Sequence, residues 1–209
     1  MVPHAGDNWH WFLYRFPAFA GDPGNVLPQL SPFRAGRLGP ESIREVVFGV
    51  EDGLVQNMTL IAGMVGAGLG DGVIVLAGVV NAVAGVLSMS MGTFLSSQAE
   101  RDALLATGRG AAVVRSPIRD AAVMAGAYGA GALAPLLAFG MPALGSGAEM
   151  VVAVVITGTG LFCLGLLKAR VSGSPAVRSG LELLALASAA GLAGYLIGAA
   201  ARAIFDITV

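Results

Sequence analysis

The chain has 209 residues, 56% of them hydrophobic and only 12% charged, and its mean hydropathy of +0.77 excludes an ordinary water-soluble domain. The net charge of -1 says little alone, and no nucleic-acid partner is expected. A single cysteine, Cys163, excludes a disulfide framework or a thiolate metal site within one chain.

Residues 1–40 are rich in Pro, Gly and aromatic residues, with Trp9, Trp11, Phe12, Tyr14, Phe16 and Phe19 close together. Arg15 and Pro17 interrupt any run long enough for a secretory signal. We read an uncleaved segment lying at a membrane interface, with a disordered tail as the alternative. His4 and His10 are read as solvated.

Residues 41–209 form one five-helix transmembrane domain in this reading. Apolar runs over about 46–69, 73–95, 119–142, 147–170 and 180–203 each supply the roughly 20 residues that a helix needs to cross about 30 Å of hydrocarbon. Barrel strands would alternate in polarity, so the unbroken Ala, Val, Leu and Gly stretches predict helices and an all-α integral membrane protein. Eleven of the twelve Lys and Arg residues fall before the first run, or in and immediately beside the connections between the second and third runs and between the fourth and fifth. The positive-inside rule then predicts a cytoplasmic N-terminus and an external C-terminus. The high Ala, Gly and Arg content suggests a prokaryotic source and its plasma membrane.

Short connections around 70–72 and 142–147 predict two helical hairpins. The longer cytoplasmic connection, 96–118, is polar enough for one surface helix from Ser97 to Thr107, ended by Gly108 and Gly110. Five spans cannot divide into two equal inverted halves, but a homodimer in the lipid bilayer would supply the missing symmetry. Small-residue pairs such as Gly49/Gly53, Gly66/Gly70 and Gly194/Gly198 predict close helix packing.

An acid inside a span is costly, so Glu51 and Asp52 are the first candidates for function. Asp52, Gln56, Thr59 and Gly63 share one face of the first helix. On the second, Asn81, Gly85, Ser88 and Gly92 share a face, with Met89 and Thr93 beside it and Ser96, Ser97 and Glu100 continuing toward the cytoplasm. Carboxylate, amide, hydroxyl and thioether make a site of mixed hardness that suits Fe2+ or Mn2+, and the methionine sulfur selects against Mg2+ and Ca2+. The competing reading leaves Glu51 and Asp52 at the interface and Met89 in packing. Glu149 and Glu182 read as interfacial, and Arg44 with Glu45 as an electrostatic cap on the first helix. No constellation of catalytic side chains points to an enzyme, and no cofactor is expected.

The run Ile43-Arg44-Glu45-Val46-Val47-Phe48-Gly49-Val50-Glu51-Asp52-Gly53-Leu54-Val55 resembles the first-helix signature of the vacuolar iron transporter (VIT, CCC1-like) family. Ala84-Gly85-Val86-Leu87-Ser88-Met89-Ser90-Met91-Gly92 resembles its second-helix signature. The stretches Leu161–Arg170 and Arg178–Gly198 look like its fourth and fifth helices. The resemblance covers roughly residues 41–204. It implies a dimer of five-helix protomers with a path between the first and second helices, exporting Fe2+ or Mn2+ from the cytoplasm in exchange for protons. Carried over by position, Asp52 would be the metal and proton carboxylate and Met89 the thioether ligand.

Two departures bear on that expectation. The family commonly has Gly-Glu-Tyr or Gly-Glu-Phe after the Ser-Met stretch, where this chain has Gly92-Thr93-Phe94. The glutamate-rich cytoplasmic insertion of well-studied members is replaced by a basic segment holding only Glu100 and Asp102, with Asp120 at its end. A membrane scaffold that kept the fold and lost transport is therefore the alternative reading.

Overall fold

The computed structural model describes residues 40–106, 116–141, 147–173 and 175–205. The expectations for residues 1–39, for Gly108 and Gly110, and for the 142–146 connection lie outside the described residues. Six helices follow in order among the described residues: α1 (Pro40–Gly66), α2 (Asp71–Ala106), α3 (Pro117–Leu133), α4 (Leu136–Phe139), α5 (Ala148–Ser172) and α6 (Ala176–Phe205). No strand occurs among them.

Three of the helices are long and apolar enough to cross a membrane: Asp71–Ala106, Ala148–Arg170 and Ala176–Phe205. α1 is long, but Arg44, Glu45, Glu51 and Asp52 dilute its hydropathy. The third apolar run differs from its expected form. It is expected as one uninterrupted span, yet α3 stops at Leu133 and resumes as the single turn α4. Pro135 causes the break, because it offers no N–H to the preceding turn and its ring collides with the carbonyl four residues earlier.

The expected division between a second span and a separate surface helix is also absent. α2 is one helix of 36 residues, about 54 Å at 1.5 Å per residue. Nothing between Phe94 and Arg101 breaks it, since no Gly or Pro occurs there. Ser97, read from sequence as the start of the surface helix, is instead buried against α3 and donates to Oδ2 of the buried Asp120 at 2.9 Å.

α1 lies at the centre of the bundle, packed mainly against α3 and α6 and to a lesser extent against α5 and α2. Backbones nearly touch where it meets α6. A Cβ at Gly198 would overlap the Gly63 carbonyl, 2.7 Å from its carbon, so only glycine fits. Gly49 and Gly53 do the same against α3, whereas Gly70 faces open space and takes no part in such packing. The chain leaves α1 through Gly68 at φ 76, a left-handed turn that glycine adopts without strain.

Asn57, at 0% exposure, joins three helices. Its Nδ2 donates to the Ala132 carbonyl, near the end of α3, and its Oδ1 accepts from Asn81 Nδ2 of α2 at 3.2 Å. A helix end in hydrocarbon has carbonyls that water cannot satisfy, and Asn57 supplies a donor from the neighbouring helix. Two acids left at helix ends by the sequence reading are also placed. Glu149 is buried in the first turn of α5 and accepts from the Gly147 N–H at 2.9 Å, and Glu182 pairs with Arg178 at 3.0 Å on the exposed face of α6.

Candidate functional site

Because α1 and α2 touch each other sparingly while both lean on α3, a cleft opens between them. It measures about 380 Å³ and is lined by Arg44, Glu45 and Phe48 from α1, Met124 from α3, and Ser88, Met89, Gly92, Thr93, Ser96, Ser97 and Glu100 from α2. Helical spacing explains the α2 wall: positions 89, 92/93, 96 and 100 recur every three or four residues and so line one side. Four residues singled out from sequence, Ser88, Met89, Thr93 and Glu100, thus meet in a single cleft.

Glu45 joins them, and sequence reasoning assigned it to a helix cap. It is 4% exposed, and its Oε2 has no hydrogen-bond partner among the described residues. A buried carboxylate oxygen without a donor is costly, so Glu45 is placed to accept a cation or a hydrogen-bond donor. Its signal was its position seven residues before Asp52, which places the two acids two turns apart near one face of α1.

The other four candidates lie outside this lining. Asp52 and Gln56 gather deeper around Tyr128 of α3. The Tyr128 hydroxyl donates to Gln56 Oε1, and the charge of Asp52 reaches the same phenol. Met89 connects the two groups, since it lines the cleft and also packs against the buried cluster of Ala82, Tyr128 and Ala132. Asn81 is committed to Asn57 in the three-helix junction. Glu51 is not part of the cleft lining and lies within electrostatic reach of Lys168 near the end of α5.

The lower half of the expected α1 stripe does not face the cleft. Thr59 Oγ1 returns its hydrogen bond to the Val55 carbonyl of its own helix at 2.7 Å, and Gly63 packs on Gly194 of α6. A hydroxyl satisfied within its helix and a glycine are both compatible with tight apolar packing, which periodicity alone cannot separate from a polar lining. No group of three or more His, Cys, Asp or Glu residues is close enough to hold a metal by itself among the described residues. Any cation here would meet a mixed set of one or two carboxylates, hydroxyls and the Met89 thioether.

Apolar helices around a polar cleft, with acids held at a helix–helix boundary, define an integral membrane protein with a polar cleft between two of its helices. The VIT family model matches residues 43–112 and 106–199, and the chain belongs to the VIT family. Vacuolar iron transporter homolog 2 of Arabidopsis thaliana is 35% identical over 150 residues, covering 68% of this chain and 75% of that protein. Vacuolar iron transporter homolog 5 of Oryza sativa subsp. japonica is 34% identical over 106 residues, 47% of this chain and 51% of the relative. Vacuolar iron transporter 1 of Arabidopsis thaliana is 36% identical over 62 residues, and the match spans only 25% of its length.

Proposed function

We propose that this protein is a divalent transition-metal transporter, exporting Fe2+ or Mn2+ from the cytoplasm in exchange for protons. The observation that carries the proposal is the cleft between α1 and α2, where the Glu45 and Glu100 carboxylates, the Ser88 and Thr93 hydroxyls and the Met89 thioether converge. Family membership supports it, as do the names of relatives called vacuolar iron transporters. Those relatives come from plants and are named for the vacuole. The membrane in this reading is one whose cytoplasmic side carries the basic loops.

In this reading α1, α2, the broken pair α3 and α4, α5 and α6 make five spans, with the N-terminus in the cytoplasm. A cation enters at Glu100, is drawn to the unpaired oxygen of Glu45, passes Met89 and reaches Asp52. Protons arriving from the other side neutralise these carboxylates and release the metal. Two copies meet along the open sides of α1 and α2, so that the two Asp52 carboxylates approach one another and compete for protons. Thr93 offers a hydroxyl where relatives commonly carry an acid, which lowers the negative charge of the path without closing it.

Flux of Fe2+ and Mn2+ into proteoliposomes holding a pH gradient tests the proposal. Asp52→Asn should lower flux at least about a hundredfold, whereas Met89→Ala should lower it about tenfold, the loss typical of one ligand or its support. Full flux in Asp52→Asn would exclude proton exchange at that residue. Absence of flux from well-folded wild-type protein would favour the scaffold reading.

A further inference from the structure

Tyr128 stands at a point where three helices meet the proposed path. It is 0% exposed, its ring packs with Ala82 and Ala132, and Met89 lies against the same cluster. Its hydroxyl reaches α2 at Gly85, where any Cβ would overlap the phenol. Gly85 lies one turn from Asn81 and one from Met89, so the hydroxyl sits between them along α2. Across the gap the hydroxyl donates its single proton to Gln56 Oε1, one turn along α1 from Asp52.

That hydrogen bond decides which end of the Gln56 amide faces the path. Amide carbonyl oxygens are hard, neutral ligands of the kind that hold Ca2+, whereas amide N–H groups repel cations. With Oε1 fixed on a fully buried phenol, the NH2 of the planar amide turns away from Tyr128, toward the open side of α1 where Gln56 is exposed. The donors left for a passing cation are the Asp52 carboxylate and the Met89 thioether. This pair suits Fe2+ and Mn2+ better than Ca2+ or Mg2+.

We propose that Tyr128 is a selectivity-determining positioning residue: by holding the Gln56 carbonyl against itself, it withholds a hard oxygen from the path and so discriminates against Ca2+ and Mg2+. This rests on the transport reading, and it gives a residue of α3 a role in a pathway whose polar groups otherwise come from α1 and α2. Tyr128→Phe keeps the ring in its packed site and removes only the proton that restrains Gln56. Specificity of this kind arises as much from excluding the wrong partner as from binding the right one.

The test is competition by Ca2+ against Mn2+ flux in proteoliposomes. In Tyr128→Phe the Ca2+ concentration that halves Mn2+ flux should fall about tenfold while the KM for Mn2+ changes less than about twofold, because a hard oxygen has been added without loss of the thioether. The double variant Tyr128→Phe/Gln56→Leu, which removes the freed carbonyl, should restore wild-type discrimination; a merely structural role for the hydroxyl would not be repaired by a second substitution. Unchanged Ca2+ competition in Tyr128→Phe overturns the inference, and so does Ca2+ sensitivity that persists in the double variant. The same competition is also read as equilibrium Mn2+ binding to the purified full chain, by the magnetic resonance signal of free Mn2+. Wild-type protein that binds Mn2+ but moves none would refute transport while the binding competition still decides the role of Tyr128. Wild-type protein that binds no Mn2+ overturns the inference itself.

Discussion

At the scale of single residues, two kinds of polar group occupy this bundle, those that hold helices together and those that face the cleft. Asn57 belongs to the first kind, as both its carbonyl and its amide nitrogen are engaged. Asn57→Leu leaves the Ala132 carbonyl and the Asn81 amide short of partners and should cost about 1–2 kcal/mol, read as a lower melting temperature in detergent. Glu45 belongs to the second kind. Glu45→Gln keeps its shape but removes its charge, and it should raise the KM for Mn2+ severalfold with little effect on melting temperature. Sequence reading singled out Asp52, Gln56 and Met89 because polar and sulfur-bearing groups are conspicuous within Ala, Val, Leu and Gly runs. Tyr128 and Asn57 escaped it, because their roles depend on helices some 70 residues apart in the chain meeting at one place, which no local period encodes.

At the scale of helices, sequence hydropathy located the apolar stretches, while backbone chemistry decided where they end. Pro135 divides the third run, and the absence of Gly or Pro between Phe94 and Arg101 fuses the second run to its cytoplasmic extension. Glycine spacing was informative where it met another backbone and empty where it did not. Gly198→Ala drives a methyl group into the Gly63 carbonyl and should destabilise the α1–α6 contact by about 1–3 kcal/mol. Gly126→Ala on α3 meets nothing within 4 Å and should be neutral or gain up to about 1 kcal/mol from helix propensity. Thermal unfolding of the two variants in parallel separates the two classes of glycine.

At the scale of the whole molecule, large apolar side chains cover much of the outside. On α2 the residues Leu76, Val80, Val83, Leu87, Met91 and Leu95 recur every three or four positions and are each more than half exposed. Such a stripe is at rest only against lipid tails or another protein. The stripe lies on the face of α2 opposite the cleft wall of Met89, Thr93, Ser96 and Glu100, so lipid covers it while the proposed dimer uses the cleft side. Ser96→Cys, in a Cys163→Ser background, should cross-link to its own copy when membranes are oxidised, whereas Val83→Cys on the apolar stripe and Ile197→Cys on the exposed face of α6 should not. Cross-linking at α6 alone would move the interface to the opposite side of the bundle.

α2 also exceeds the bilayer. At about 54 Å it is longer than the roughly 30 Å of hydrocarbon it would have to cross, and it continues unbroken from Asp71 to Ala106. A helix without a hinge tilts as a rod, so a force on its far end near Glu100 turns the Met89 wall with it. The projecting part is thus rigidly coupled to one wall of the cleft.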